Sequence, residues 1–335
     1  MSVMMSEKAI TEKEMIAAAE SALADISKVR EGVAKVIFGQ ESVVERTMVA
    51  LLAGGHALLV GVPGLAKTKL VETLGVVLGL DSRRIQFTPD LMPSDIIGSE
   101  VMEQDEAGKR YFRFIPGPIF AQLLMADEIN RASPRTQSAL LQSMQEYHVT
   151  VAGARHDLPA PFHVLATQNP LEQEGTYPLP EAQLDRFLMQ VDILYPELEA
   201  ERRILLETTG IGDARAENVL TAERLREIQT LIRRMPVPES VVEAILKLVR
   251  SARPGSGNAD TDKHVSWGPG PRASQALTLC ARARALYDGR LAPSVDDVHA
   301  LAEPVLQHRM ALTFAARAEG MTVRDVVARL VKAAA

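Results

Sequence analysis

The sequence predicts an α/β protein: a parallel sheet with helices on both faces, followed by a small all-α domain. Three observations carry that reading. Between about Phe38 and Tyr195, short apolar runs alternate with helical stretches, the pattern of strand–helix–strand crossovers. After Pro196 the strand signals stop and helical periodicity dominates. The length, 335 residues, suits one large and one smaller domain. The expected division is an N-terminal helix at 1–38, an α/β core at 39–196 and a helical domain at 197–335.

The elements follow in order. Thr11 and Glu14 are spaced as a capping box. Met15, Ala19, Ala22, Ile26, Val29, Val33 and Val36 then recur in steps of four and three, one helical stripe. That stripe reads as a helix packed on its own domain rather than as a docking surface. A helix from Glu41 to Ala53 is stopped by Gly54-Gly55. The run ALLV at 57–60 has the continuous apolar character of a buried parallel strand. A glycine-containing turn leads to a helix from Lys67 to Leu78. Further strands are expected at 84–88, 122–127, 162–168 and 190–195. Helices are expected at 197–208, 221–235, 239–252, 272–288, 295–308 and 322–334. Ser294 with Asp297 and Thr322 with Asp325 mark two of their starts. The Gly-, Asp- and Pro-rich stretch 253–271 reads as a mobile loop.

Composition removes several classes. With 47% hydrophobic and 24% charged residues, the chain has the balance of a globular protein rather than a disordered one. The single cysteine, Cys280, excludes a disulfide framework and favours a reducing compartment, the cytoplasm. It falls in an apolar helical pattern, as a buried structural thiol would. No apolar run reaches the roughly 18 residues of a membrane span. The N-terminus lacks a basic region followed by an apolar stretch, so it does not read as a secretory signal. A net charge of −6 is not the signature of a duplex nucleic-acid binder. No histidine pairs with cysteine or carboxylate at metal-ligand spacing, so no structural metal is expected.

The chemistry concentrates in five segments. Gly61, Val62, Pro63, Gly64, Leu65, Ala66, Lys67 and Thr68 match the phosphate-loop spacing, with Ala66 where the last glycine stands. Small residues let backbone N–H groups approach phosphate oxygens, and the next helix adds its positive end. Lys67 would reach the β- and γ-phosphates of ATP, and Thr68 would give a hydroxyl to Mg²⁺. Ala66 keeps the N–H but disfavours a positive φ. In QLLMADEIN, Asp127 and Glu128 end an apolar strand; Asp127 would hold Mg²⁺ and Glu128 would deprotonate the attacking water. Asn169, in ATQNP, could orient the same water, or simply start an Asn-Pro turn. Arg186, in LPEAQLDRF, could reach the γ-phosphate of a neighbouring subunit. Arg272, in GPGPRASQAL, opens a helix of the second domain and could touch the nucleotide from that side.

GVPGLAKT, LLMADEINRA, ATQNP and EAQLDRF, in this order, resemble the motifs of AAA+ ATPases and specifically of the MoxR family. Ala66 is typical of that family, and TPDLMPSDIIGSE (88–100) looks like its insertion after the second strand. The resemblance runs from about Gly39 to the C-terminus. It implies an AAA+ core with a helical lid, working as a homo-oligomeric ring, usually a hexamer, with ATP between subunits. Asn169 would be the sensor, Arg186 a finger acting in trans, and Arg272 the lid sensor. Arg131 is a second candidate for the trans-acting arginine. Backbone near Ile37–Gln40 would line the adenine site, and Tyr147–Phe162 would form a β-hairpin facing the ring pore or a client. Proteins of this type act as chaperones that mature client proteins, commonly with a partner bearing a von Willebrand factor A domain. The related magnesium-chelatase motor subunit is the alternative. A nucleic-acid motor fits less well, because it needs a basic pore and the chain is net acidic.

Overall fold

The computed structural model describes residues 12–106, 108–172, 174–208 and 215–334. Helices α1 (Glu12–Ala34) and α2 (Glu41–Leu52) lead to strand β1 (Ala57–Gly61), α3 (Lys67–Val77) and β2 (Ser82–Gln86). The short α4 (Pro93–Ile97) precedes a hairpin of β3 (Gly98–Gln104) and β4 (Arg110–Pro116). Then come β5 (Leu123–Asp127), α5 (Pro134–Glu146) and a second hairpin, β6 (His148–Val151) with β7 (Ala154–Asp157). β8 (His163–Gln168), α6 (Glu181–Leu184) and β9 (Met189–Ile193) complete the α/β part. The remainder is α7 (Leu198–Thr208), α8 (Ala222–Arg234), α9 (Glu239–Ser251), α10 (Ala259–His264), β10 (Val265–Trp267), α11 (Pro271–Tyr287), α12 (Val295–Leu306), β11 (Ala311–Leu312), α13 (Phe314–Ala318) and α14 (Val323–Ala334).

Five strands form the central sheet in the order β2-β5-β8-β1-β9, and all their pairings are parallel. Every carboxyl end therefore lies on one edge of the sheet, where an α/β protein builds its ligand site. Every residue of β5, Leu123 to Asp127, is buried, so its apolar run reflects cover on both faces. The predicted strands are present with ends shifted by one or two residues. The α1 stripe is also present: Ala19, Ala22, Ile26, Val29 and Val33 are all buried. They join the core cluster that includes residues of α3, α8 and α11, so the helix closes its own molecule. The capping box at Thr11 lies outside the described residues.

Two features depart from expectation. The stretch 253–271, expected as a mobile loop, contains α10 and β10. Asn258 caps α10 by accepting from the N–H groups of Asp260 and Thr261, and Val265 is buried. β10 then pairs antiparallel with β11, which adds a two-stranded ribbon to the helical region. The hairpin β3–β4 was also not expected. Most of its side chains are exposed on both faces, with Val101, Glu103 and Phe114 half-buried, so no clean apolar alternation marks it. The hairpin expected within 147–162 is present as β6–β7. Cys280 is fully buried, and burial pushes its thiol up to about 12, which leaves it unreactive.

Three of the four buried histidines among the described residues, His56, His163 and His308, are expected to make the fold acid-sensitive. Val164 N donates to His56 Nδ1, so His56 is held as the neutral Nε2–H form facing the Met144 carbonyl. Burial, reinforced for His56 by the nearby His163, lowers His56 to about 3; burial lowers His163 to about 4. His308 is held well below its usual range by burial and then by Arg309. In the unfolded chain each takes up a proton below about pH 6.5. Between about pH 6.5 and about pH 5 unfolding binds protons, so stability falls as pH falls, by up to about 1.4 kcal/mol per pH unit for each histidine. Denaturant titrations at about pH 7.5 and about pH 5.5 are expected to show this loss. A flat profile would contradict neutral burial.

Candidate nucleotide site

The segment Gly61–Thr68 joins the carboxyl end of β1 to the first turn of α3. Gly64 has φ +85, with no atom within 4 Å of where a Cβ would stand, so only glycine makes this turn without strain. Ala66 is left-handed as well, at φ 54 and ψ 24, immediately before α3. The sequence argument held that alanine disfavours this conformation; the loop adopts it at a cost of about 1–2 kcal/mol. No side chain caps α3, so its first-turn N–H groups are left for a ligand. Lys67 Nζ curls back and donates to the carbonyls of Gly61 (2.7 Å) and Val62 (2.8 Å). Burial lowers the Lys67 ammonium, and the nearby carboxylates of Asp127 and Glu128 oppose that shift. Thr68 is half-buried in the first turn of α3.

The acidic pair sits across from the loop. Asp127 Oδ1 accepts from the Thr167 hydroxyl, and Asp127 Oδ2 accepts from Arg84 Nη2 (2.6 Å) and Nε (3.1 Å). Glu128 follows in a left-handed conformation, φ 55 and ψ 49, a backbone strain of the kind found at functional sites. Its N–H donates to Thr167 Oγ1 (2.9 Å), and its Oε2 accepts from Gln86 Nε2 (2.8 Å) and Arg131 Nη1 (3.1 Å). Arg131 thus pairs with Glu128 within the same chain, and also lies 3.8 Å from Glu172. Asn169 stands just past β8, buried, with Oδ1 accepting from Leu171 N (3.1 Å). Its carbonyl thus makes the turn that an Asn-Pro pair suggests.

Sequence reasoning missed Thr167, Arg84 and Gln86. Thr167 had a signal: a hydroxyl in an otherwise apolar buried strand must find a partner. Arg84 and Gln86 are two apart on β2 and so share one face of the sheet; nothing in the sequence tells which face. Thr167→Val keeps the volume and strips Asp127 and Glu128 N–H of one shared partner. It is expected to lower the unfolding free energy by about 1–3 kcal/mol in denaturant titrations, with Thr167→Ser near wild type. A stable Thr167→Val protein would contradict this accounting.

Arg186 and Arg272 lie elsewhere. Both line a cleft of about 270 Å³ with Gly54, Gly55 and His56, the residues that precede β1. Arg186 Nη1 donates to the Leu141 carbonyl (2.6 Å), and Arg272 Nη1 lies 3.7 Å from Asp185 Oδ2. The five residues of β1 separate this cleft from the phosphate loop. At about 3.3 Å each they span roughly 16 Å. Arg272, at the start of α11, therefore stands at the amino edge of the sheet, away from the phosphate loop of its own chain.

A second cleft, of about 860 Å³, lies at the carboxyl end of β9 and is bordered by Gly39, Gln40, Arg46, Tyr195, Arg203 and Arg324. Gln40 Nε2 donates to the Leu65 carbonyl (3.0 Å), fastening this segment to the phosphate loop. Gly39 is left-handed, and a Cβ there would lie 2.2 Å from Ala200 Cβ, so glycine is required for α7 to pack. Of the segment expected to line an adenine site, Gly39 and Gln40 border this cleft, while Ile37 is buried in the core.

The donors suit Mg–nucleotide. Thr68 and Asp127 offer hard oxygens, and Mg²⁺ needs few protein ligands because phosphates and water supply the rest. Asp127 already accepts a cationic partner, Arg84, at its free oxygen. Among the described residues no group of three or more His, Cys, Asp or Glu could hold a metal by itself.

A five-stranded parallel sheet with a phosphate loop after the interior strand β1 and an acidic pair ending β5 defines a phosphate-loop nucleotide-binding protein. Comparison narrows the class. Residues 56–189 match the family described as ATPase family associated with various cellular activities (AAA), and residues 258–330 match the AAA lid domain. The chain is 42% identical to Chaperone MoxR1 of Mycobacterium tuberculosis over 305 residues, 90% of this chain and 80% of that one. It is 30% identical to Protein MoxR of Methylorubrum extorquens, over 84% of this chain and 85% of that one. The crystal structure of a candidate ATPase from Cytophaga hutchinsonii superposes with a TM-score of 0.88 at 37% identity, covering 96% of this chain and 97% of that one. The chain belongs to the MoxR family of AAA+ ATPases.

Proposed function

We propose that this protein hydrolyses ATP at the interfaces between copies of itself and uses the cycle to remodel or mature client proteins. One observation carries the reading: Lys67, Asp127 and Glu128 meet at the carboxyl edge of the sheet, while Arg186 and Arg272 are presented together at the amino edge. A single chain holds either half of a hydrolytic site but cannot close one, whereas a head-to-tail ring brings the halves together at every interface. We take 39–196 as the nucleotide-binding unit and 197–335 as the lid.

In this reading Gly61–Thr68 cradle the phosphates through backbone N–H groups and the start of α3. Lys67 leaves the Gly61 and Val62 carbonyls to neutralise the β- and γ-phosphates. Thr68 and Asp127 would hold Mg²⁺, which would offset phosphate charge. Glu128 takes the proton of the attacking water, and Asn169 uses its free amide N–H to orient that water. Arg186 and Arg272 of the adjacent copy reach the γ-phosphate, where an arginine finger is worth on the order of 10³–10⁵ in rate. The name Chaperone MoxR1 carried by a relative supports a protein client. A partner with a von Willebrand factor A domain and a cytoplasmic location complete the proposal.

The test is the specific ATPase rate against protein concentration, read beside sedimentation. A specific rate that rises with concentration as higher oligomers form supports shared sites. A constant specific rate extending to dilutions where only monomer sediments contradicts them.

A further inference from the structure

Arg309 is one of the largest fully buried side chains of the described residues, 2% exposed, yet it carries a fixed charge. It lies in the turn after α12, on the helical region, and its donors reach the end of α12, that turn and the α/β part. Nε donates to Asp185 Oδ1 (2.7 Å), and Nη2 donates to the backbone carbonyls of Phe187 (2.7 Å) and Asp185 (3.2 Å). Nη1 donates to the Val305 (2.6 Å) and Leu188 (3.2 Å) carbonyls. The residues gripped on either side, Asp185 and Phe187, are the chain neighbours of Arg186. Gln307 reinforces the clasp, its Nε2 donating to the Gln190 carbonyl (3.1 Å), and His308 Nε2 lies 2.7 Å from Arg309 Nη1 and so accepts from it. The other Asp185 oxygen faces Arg272 Nη1 at 3.7 Å. Among the residues lining this cleft Asp185 is the acid, set among Arg186, Arg233, Arg272 and Arg309.

We infer that Asp185, locked by the buried Arg309, is a positioning residue that sets Arg186 and Arg272 as one rigid pair for presentation to a neighbouring copy. The inference rests on the proposal that both arginines act in trans. A guanidinium must be held to within roughly 0.5 Å to act on a transferring phosphoryl group. One buried fork fixes the backbone on both sides of Arg186, and the same carboxylate that anchors the fork faces Arg272. Core and helical region therefore move together at this corner, and loosening Asp185 misplaces both cations at once. The defect falls on the neighbour's site, not on the nucleotide bound by the altered chain.

The experiment compares Asp185→Asn with Arg186→Ala, each alone and each mixed with Glu128→Gln subunits. Binding of a fluorescent non-hydrolysable ATP analogue is read in parallel. Asp185→Asn alone is expected to lose about tenfold to hundredfold in hydrolysis with analogue affinity unchanged. Mixed with Glu128→Gln, whose arginines are intact, it should regain activity, as Arg186→Ala should. Recovery for Arg186→Ala without recovery for Asp185→Asn overturns the positioning role, as does an Asp185→Asn rate within twofold of wild type. Failure of both mixtures overturns the trans arrangement instead. If circular dichroism shows Asp185→Asn unfolded, Asp185→Glu carries the test. It keeps the charge beside Arg309 and moves the carboxylate by one methylene. Loss of activity regained in the same mixture supports the role, and full activity in the unmixed variant overturns it.

Discussion

Glu128→Gln is expected to keep ATP binding and to lower turnover by about 10²–10⁴-fold, the usual contribution of a positioned general base. The change is nearly isosteric, and the left-handed backbone at this residue is unaffected by the side chain's charge. The N–H bond to Thr167 and the contact of Oε2 with Gln86 have counterparts in the amide, so the loop keeps its shape. What is lost is the ability to take a proton from water. Single-turnover hydrolysis with a parallel analogue-binding isotherm separates the two effects. Turnover unchanged by the substitution would remove Glu128 from the reaction. Loss of binding as well would make the residue structural.

Arg186→Ala is expected to cost on the order of 10³–10⁵ in kcat while leaving analogue affinity within a few-fold. The size of the effect follows from the proposed arrangement: a guanidinium that met the γ-phosphate as negative charge shifts onto its oxygens would contribute in the transition state. Removal also frees the Leu141 carbonyl, which accepts from Nη1 in this structure. That cost is one hydrogen bond, about 1 kcal/mol, too small to explain a loss of several kcal/mol in activation free energy. A kcat close to wild type would leave the cleft at the amino edge without a catalytic role.

The sequence made the sheet legible because strands covered on both faces read as continuous apolar runs, as with Leu123–Asp127. The phosphate loop and acidic pair were legible because their chemistry fixes residue types at fixed spacing. Three things were not. The support around Asp127 and Glu128 depends on register: Gln86 faces Asp127 across the pairing of β2 with β5, which no local pattern encodes. The hairpin β3–β4 is mostly exposed on both faces, so it leaves no clean apolar period to read. The side of the sheet on which Arg272 emerges is set by long-range docking of the turn Gln307–Arg309 onto Asp185–Gln190, more than a hundred residues away. Motif order set Arg186 and Arg272 beside the nucleotide motifs, whereas the structure places them together at the opposite edge of the sheet.

Mixing Glu128→Gln with Arg186→Ala subunits tests the shared site most directly. Each variant alone is expected to hydrolyse poorly, the first for want of a base and the second for want of a finger. In a mixed assembly, an interface formed by the phosphate loop of an Arg186→Ala subunit and the finger of a Glu128→Gln subunit is complete. The account predicts that hydrolysis reappears and passes through a maximum at intermediate ratios. Mixed assemblies that form by sedimentation and stay inactive at every ratio would contradict it.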